Sequence, residues 1–264
     1  MMSQTMIGAQ MYTLREHTRT LSDFAATCRK LREMGYGAVQ ISAVGKDIAV
    51  EDLARVLRDE GLVCAATHTS MEMMQDVAAC AAYHKTLDCT LTAVGGGGNL
   101  IGADAWKRFC RDYNAAAKGL AGEGIAIGYH NHSHELAPVE GYPAGEGSTV
   151  LDLLMRELDK SIWFEVDTYW IAHGGGDPAA WLDKIAASGP NRLPAIHVKD
   201  MTITPEREHV MCEIGLGNLN WPAIMAAAKR ADVRWFLVER DSGVLDPFDS
   251  LERSLKGLQA MGLE

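Results

Sequence analysis

The stretch Gly128-Tyr129-His130-Asn131-His132-Ser133-His134-Glu135 sets three imidazoles and a carboxylate directly after the apolar run Ile125-Ala126-Ile127. Strands buried in a parallel sheet read as short apolar runs, and barrel enzymes carry their reactive groups at the C-terminal ends of such strands. Three later runs end in the same way. Residues 162–167 close on Glu165 and Asp167, residues 193–198 carry His197 with Lys199 next but one, and residues 235–238 stop at Glu239. Side chains alternate along a strand, so residues two apart share a face. With those faces turned inward, Glu135, Asp167, His197 and Glu239 ring one point from four adjacent strands. Three carboxylates and one imidazole form a hard, oxygen-rich donor set. It suits one divalent ion, Mn²⁺, Mg²⁺, Co²⁺ or a catalytic Zn²⁺, with positions left for substrate oxygens. Singly, each residue has a plainer use: a strand-end acid caps the next helix, and a histidine packs in a core. Their repetition at successive strand ends is what favours a common site.

Elements that place residues this way recur along the chain. Strand-like runs cover residues 6–12, 38–42, 63–68, 89–94, 125–127 and on into the histidines, 162–167, 193–198 and 235–239. Helical patterns follow at 21–34, 50–60, 73–86, 104–120 and 148–158, with Gly35 and Gly61 as stop signals. Asp177-Pro178, Asn220-Trp221-Pro222 and Asp246-Pro247 open three more, each with a capping side chain followed within two residues by proline. Eight strand-then-helix units in 264 residues fit an α/β protein built as one (β/α)8 TIM barrel. No Ser/Pro-rich linker interrupts the series, so residues 1–264 read as a single domain. A doubly wound sheet is the alternative fold, but no GxGxxG fingerprint follows the first strand.

Composition narrows the partners. A hydrophobic share of 47% and a charged share of 23% are ordinary for a globular chain. The formal net charge of −10 argues against a nucleic-acid surface, which wants a basic stripe. Six cysteines form no CxxC pair and no disulfide framework. Met1-Met2-Ser3-Gln4-Thr5 lacks the basic-then-apolar pattern of a leader, and no apolar run reaches membrane-spanning length. The expectation is a reduced, cytoplasmic protein with no membrane and no nucleic-acid partner.

Five segments together resemble the xylose isomerase-like sugar isomerase/epimerase superfamily. They are Tyr129-His130-Asn131-His132-Ser133-His134-Glu135, Phe164-Glu165-Val166-Asp167-Thr168-Tyr169-Trp170, His197-Val198-Lys199-Asp200, the stretch from Glu213 to Trp221, and Val238-Glu239-Arg240-Asp241. The resemblance covers nearly the whole chain and is strongest from Gly128 to Asp241. It implies a TIM barrel whose metal ligands are Glu135, Asp167, His197 and Glu239. In ketose epimerases the fifth-strand glutamate stands at the strand tip, which His130-Asn131-His132 occupies here, so His132 is the alternative ligand or base. The implied chemistry is proton abstraction next to the carbonyl of a small keto sugar or cyclitol, with Glu135 and Glu239 as acid/base groups on either side. A second branch acts on 3-keto glycosides or inososes as lyase or dehydratase. In that case His132 or His68 is base or leaving-group acid, and Lys199 holds a substrate oxygen. The endonuclease IV branch, a DNA-repair activity, needs more histidine ligands than this acidic chain offers, with Gln40 where one would stand. A non-catalytic sugar-binding barrel is a further alternative. Relatives are usually homodimers or tetramers.

The resemblance also places His68, Glu213 with the Gly215-Leu216-Gly217 turn, and Arg240 beside the substrate. Gln40 either bonds a sugar hydroxyl or caps the barrel. Trp170, Tyr12 and Trp221 stack on a sugar ring or pack in the core. Glu165, a layer deeper than Asp167, is expected to orient His130 or to pair with Lys199. Gly95 to Gly98 reads as a flexible loop rather than a phosphate cradle, because no Lys or Ser/Thr follows in P-loop spacing. Met71, Met73 and Met74 read as packing or a pliable pocket wall.

Overall fold

The computed structural model describes residues 6–139 and 147–263. The N-terminal Met1-Met2-Ser3-Gln4-Thr5, read above for a leader, lies outside the described residues. In chain order the elements are β1 (Met6–Gln10), α1 (Leu21–Met34), β2 (Ala38–Ile41), α2 (Val50–Glu60), β3 (Val63–His68), α3 (Met71–Gln75), α4 (Val77–Thr86), β4 (Leu91–Val94) and α5 (Ala103–Ala121). They continue with β5 (Ala126–His130), α6 (Val150–Glu157), β6 (Trp163–Asp167), α7 (Thr168–His173), α8 (Pro178–Ala186), β7 (Ala195–Val198), β8 (Asp200–Ile203), β9 (His209–Cys212), α9 (Trp221–Arg230), β10 (Trp235–Val238) and α10 (Pro247–Ala260). Strands β1 to β7 follow one another in parallel, and β10 closes the barrel between β7 and β1. The chain is a closed (β/α)8 barrel, as the alternation of runs predicts.

Local chemistry explains several boundaries. Gly35 and Gly61 end α1 and α2 in the left-handed conformation that glycine adopts without penalty. The Met-rich helix expected over 73–86 is instead two helices. Asp76 breaks it by turning its carboxylate onto the N–H of Ala79 as the cap of α4. Met74 is buried, and Met71 and Met73 pack against the core; none of them lines the cavity described below.

Alternation divides the apolar residues into two bodies. Val39, Cys64, Val94, Phe164, Ile196 and Phe236 face outward into the layer between strands and helices. Ala38, Ala65, Ala93, Ala195, Trp163, Trp235 and Leu237 fill the barrel interior. Two tryptophans supply the volume that the alanines leave, and Gly128 makes room for one of them: a Cβ there would come within 2.3 Å of the Trp163 ring. Polar inward residues gather above this floor, at the C-terminal mouth.

Candidate active site

His130, at the tip of β5, joins Asp167, His197 and Glu239 in one buried group whose ligand atoms lie within 4.8 Å of one another. Register brings them together: Asp167 on β6 stands opposite His197 on β7, and Glu239 follows directly on β10 beside them. His197 Nδ1 is 2.8 Å from Glu239 Oε2 and 3.6 Å from Asp167 Oδ2, and His130 Nε2 is 3.3 Å from Asp167 Oδ2. Asp167 serves two elements. Its Oδ1 accepts from the N–H of Trp170 and caps α7, which leaves Oδ2 for the group.

Lys199 Nζ sits among the carboxylates, 2.7 Å from Glu239 Oε2, 3.0 Å from Asp167 Oδ2 and 3.0 Å from Asp241 Oδ1. Burial alone would lower its pKa, but these three carboxylates raise it. Burial likewise works against charge on Asp167 and Glu239, yet Lys199 and the imidazoles hold both well below the usual carboxylate range. His197 is pushed well above the ordinary imidazole value by Glu165 and Glu239 despite its burial. His130 goes the other way: burial, then the charge of His197, lower it to about 3. Burial and Glu239 raise Asp241 to about 6.

Three atoms of the group, His130 Nδ1, His197 Nδ1 and Glu239 Oε2, are buried with no aligned hydrogen-bond partner. Buried polar atoms are nearly always satisfied. Two imidazoles and two carboxylates whose ligand atoms converge within 4.8 Å fit a divalent cation.

The structure groups the expected quartet differently. Glu135 is not in the group with Asp167, His197 and Glu239; it clusters with His132 and His134. Two residues after β5 the chain forms a short 3-10 helix, Ser133–Leu136, and Glu135 lies in it. There it is fully buried and accepts from Tyr129 Oη at 2.5 Å and from the N–H of His132 at 2.8 Å, with His134 Nε2 at 3.2 Å. His130 takes its place. The imidazole type at the strand tip was visible in the sequence; the direction of the turn after it was not.

A cavity of about 500 Å³ opens above the group at the C-terminal mouth. Of the residues expected at the substrate, His68, His132, Trp170, Tyr12, Lys199 and Glu239 line it. Asp241, Gln10 and Ser42 line it too, without having been singled out, although Asp241 shares a face with Glu239 by simple alternation. Others are spent elsewhere. Glu213 and Arg240 pair with each other at 2.9 Å, and Arg240 also donates to the Leu245 carbonyl while Ser250 Oγ donates to Glu213, so neither reaches the cavity. Trp221 is buried with Nε1 donating to Asp200. The glycines after β4 lie against the site: Gly96, with φ 107°, is so close that a Cβ would sit 3.0 Å from His132 Nδ1. The N–H of Gly97 is given to Tyr129 Oη, which removes the run as an anion cradle.

Beneath the group runs a second polar layer. Gln40, fully buried, does not reach the cavity; its Oε1 is 2.7 Å from His197 Nε2 and its Nε2 is 2.7 Å from Glu165 Oε1. Glu165 Oε2 is 2.5 Å from His68 Nε2. Glu165 thus faces His68 and Gln40 rather than His130 or Lys199, because it lies one strand layer below Asp167, level with β2 and β3 across the barrel.

Against known proteins, a family model described as the xylose isomerase-like TIM barrel matches residues 28–261. A comparison with curated proteins gives no match. Solved structures share the fold. A sugar phosphate isomerase/epimerase from Parabacteroides distasonis ATCC 8503 is 23% identical with a TM-score of 0.81, over 99% of this chain and 95% of its own. A D-allulose 3-epimerase from Methylomonas sp. is 14% identical with a TM-score of 0.71, over 98% of each chain. A probable 3-DHS dehydratase from Bacillus anthracis is 12% identical with a TM-score of 0.70, over 97% of this chain and 99% of its own. With a closed parallel barrel, a convergent His/Asp/His/Glu group at its mouth and a family match over most of its length, the chain belongs to the xylose isomerase-like TIM barrel family.

Proposed function

We propose that this protein is a divalent-metal-dependent enzyme that moves a proton next to the carbonyl of a small keto sugar or cyclitol, with isomerase/epimerase as its class. The observation that carries the reading is the group of His130, Asp167, His197 and Glu239 at the base of a cavity walled by polar and aromatic side chains. These four residues would hold the ion. When bound, it supplies a Lewis acid that draws electron density from a substrate carbonyl.

The chain's own residues do the rest. Lys199, fixed by three carboxylates, presents a cation beside that oxygen and favours the negative charge that grows there. The Glu239 carboxylate, on the cavity wall, takes the carbon-bound proton from one side. His132, whose pKa burial lowers, is neutral and free to give or take a proton on the other. Tyr12 and Trp170 supply ring faces for a sugar. A homo-oligomer and a cytoplasmic location remain part of the same proposal.

One observation favours a second reading, a lyase or dehydratase on 3-keto glycosides or inososes. Glu135 lies outside the cavity lining, so it does not join Glu239 as the second carboxylate that the ketose 3-epimerase reading needs, whereas the imidazole of His132 does line the cavity with Glu239. One experiment separates the readings: the metal-loaded protein is incubated in deuterated water with ketoses, inososes and 3-keto glycosides, and the products are read by NMR. Deuterium beside the carbonyl together with a stereoisomer supports the isomerase/epimerase. Release of the leaving group with a new double bond supports the lyase. E239Q is expected to slow either by at least about 100-fold. No exchange with any substrate at full metal loading overturns the proposal.

A further inference from the structure

Glu165 is fully buried, lies outside the cavity lining, and divides its two oxygens between two partners. A carboxylate offers only acceptors, so each partner must donate. Gln40 therefore turns its NH₂ toward Glu165 Oε1, at 2.7 Å, and its carbonyl oxygen toward His197 Nε2, also at 2.7 Å. That oxygen also only accepts, so the hydrogen on the deep side of His197 is on Nε2. Glu165 Oε2, 3.3 Å from the same Nε2, asks for the same arrangement. The nitrogen left with a lone pair for a cation is Nδ1, the orphaned atom that faces Glu239 and Asp167. The reasoning repeats at His68. Its Nε2, 2.5 Å from Glu165 Oε2, carries the hydrogen, and Nδ1 looks past Gly95 into the cavity.

We propose that Glu165 is a positioning residue that sets two tautomers at once. Through Gln40 it places the His197 hydrogen on Nε2 and so selects Nδ1 as the metal-ligating atom. Directly, it holds His68 with Nδ1 toward the cavity as an acceptor for a substrate hydroxyl. Partners on the far side of a ligating imidazole fix its orientation and basicity in this way. The His197 half of the inference rests on the metal reading above; the His68 half does not.

The test compares wild type, E165Q, Q40L and the double variant, all of which keep side-chain volume. E165Q meets two partners that both need an acceptor with one acceptor and one donor. Either Gln40 turns over and faces His197 with NH₂, or His68 gives up its Nε2 hydrogen. Zinc affinity is measured by chelator competition, and ¹⁵N-histidine NMR of the zinc-loaded protein reads which nitrogens carry hydrogen. Expected are an Nε2–H on His197 in wild type, and zinc binding weakened by roughly 10- to 100-fold in E165Q and in Q40L. The double variant should be no weaker than the poorer single one, with circular dichroism unchanged in all. Zinc affinity within twofold of wild type in E165Q, with the His197 Nε2–H signal intact, overturns the inference. If wild type itself takes up no zinc, the metal reading fails separately, and the His68 tautomer in metal-free protein decides the remainder. Nε2–H in wild type and a mixture in E165Q supports it, whereas the same tautomer in both overturns it.

Discussion

With His130 standing where a fifth-strand carboxylate was expected, the proposed donor set becomes two imidazoles and two carboxylates. Imidazole moves the preference away from Mg²⁺ and toward Zn²⁺, Co²⁺ or Mn²⁺. It also changes the charge balance, because Asp167, Glu239 and Asp241 together offset a divalent ion plus Lys199. Lys199 is 2% exposed, and a buried charge that loses its partner costs about 3 to 5 kcal/mol. K199M should therefore destabilise the metal-free protein by about that amount and the metal-loaded protein by less. Urea denaturation with and without metal measures both; equal losses would remove Lys199 from the charge balance. Glu135, outside the proposed metal group, acts on its neighbour. Its carboxylate raises the pKa of His134, while burial opposes the shift. A raised imidazole contributes stability that is fully present below about pH 6.5 and is lost as pH rises through the folded value. An NMR titration should place His134 above the ordinary value in wild type and return it there in E135Q.

At the scale of elements, Asp200 does the most with one side chain. It opens β8 and is fully buried, with its carboxylate accepting from the N–H groups of Gly215 and Gly217 and from Trp221 Nε1 at 2.7 to 3.0 Å. The turn from Gly215 to Gly217 and the start of α9 are thus tied to one carboxylate. D200A leaves these donors buried and unpaired and should cost about 3 kcal/mol or more, read from the denaturation midpoint, while D200N keeps part of the network. The hairpin β8–β9 itself was not legible, because short strands of mixed exposure lack the apolar run that marks barrel strands. The helices were legible where caps punctuate them: Gly35 ends α1 as the pattern predicts, and Asp177-Pro178 opens α8. The short helix α7 was missed because Asp167 reads as a strand end and is also its cap. Asp167, His197 and Glu239 could be found by alternation along regular strands. Glu135 could not, because its direction depends on a 3-10 turn whose sequence, Ser-His-Glu-Leu, carries no periodic signal.

Over the whole molecule, closure of eight strands turns residues distant in the chain into one site, with a tryptophan and alanine floor below and a mouth above. No helix of the described residues is long and apolar enough to cross a membrane. The four proposed ligands come from β5, β6, β7 and the end of β10, four neighbours around the barrel, so one ion would tie together half of its circumference. The most direct measurement is the metal content, by elemental analysis, of wild type beside H130A, E239Q and E135Q after loading with Zn²⁺ or Mn²⁺. About one ion per chain in wild type and in E135Q, lost in H130A and E239Q, is the predicted result. Metal retained in H130A and lost in E135Q, or absent from wild type after loading, would contradict it.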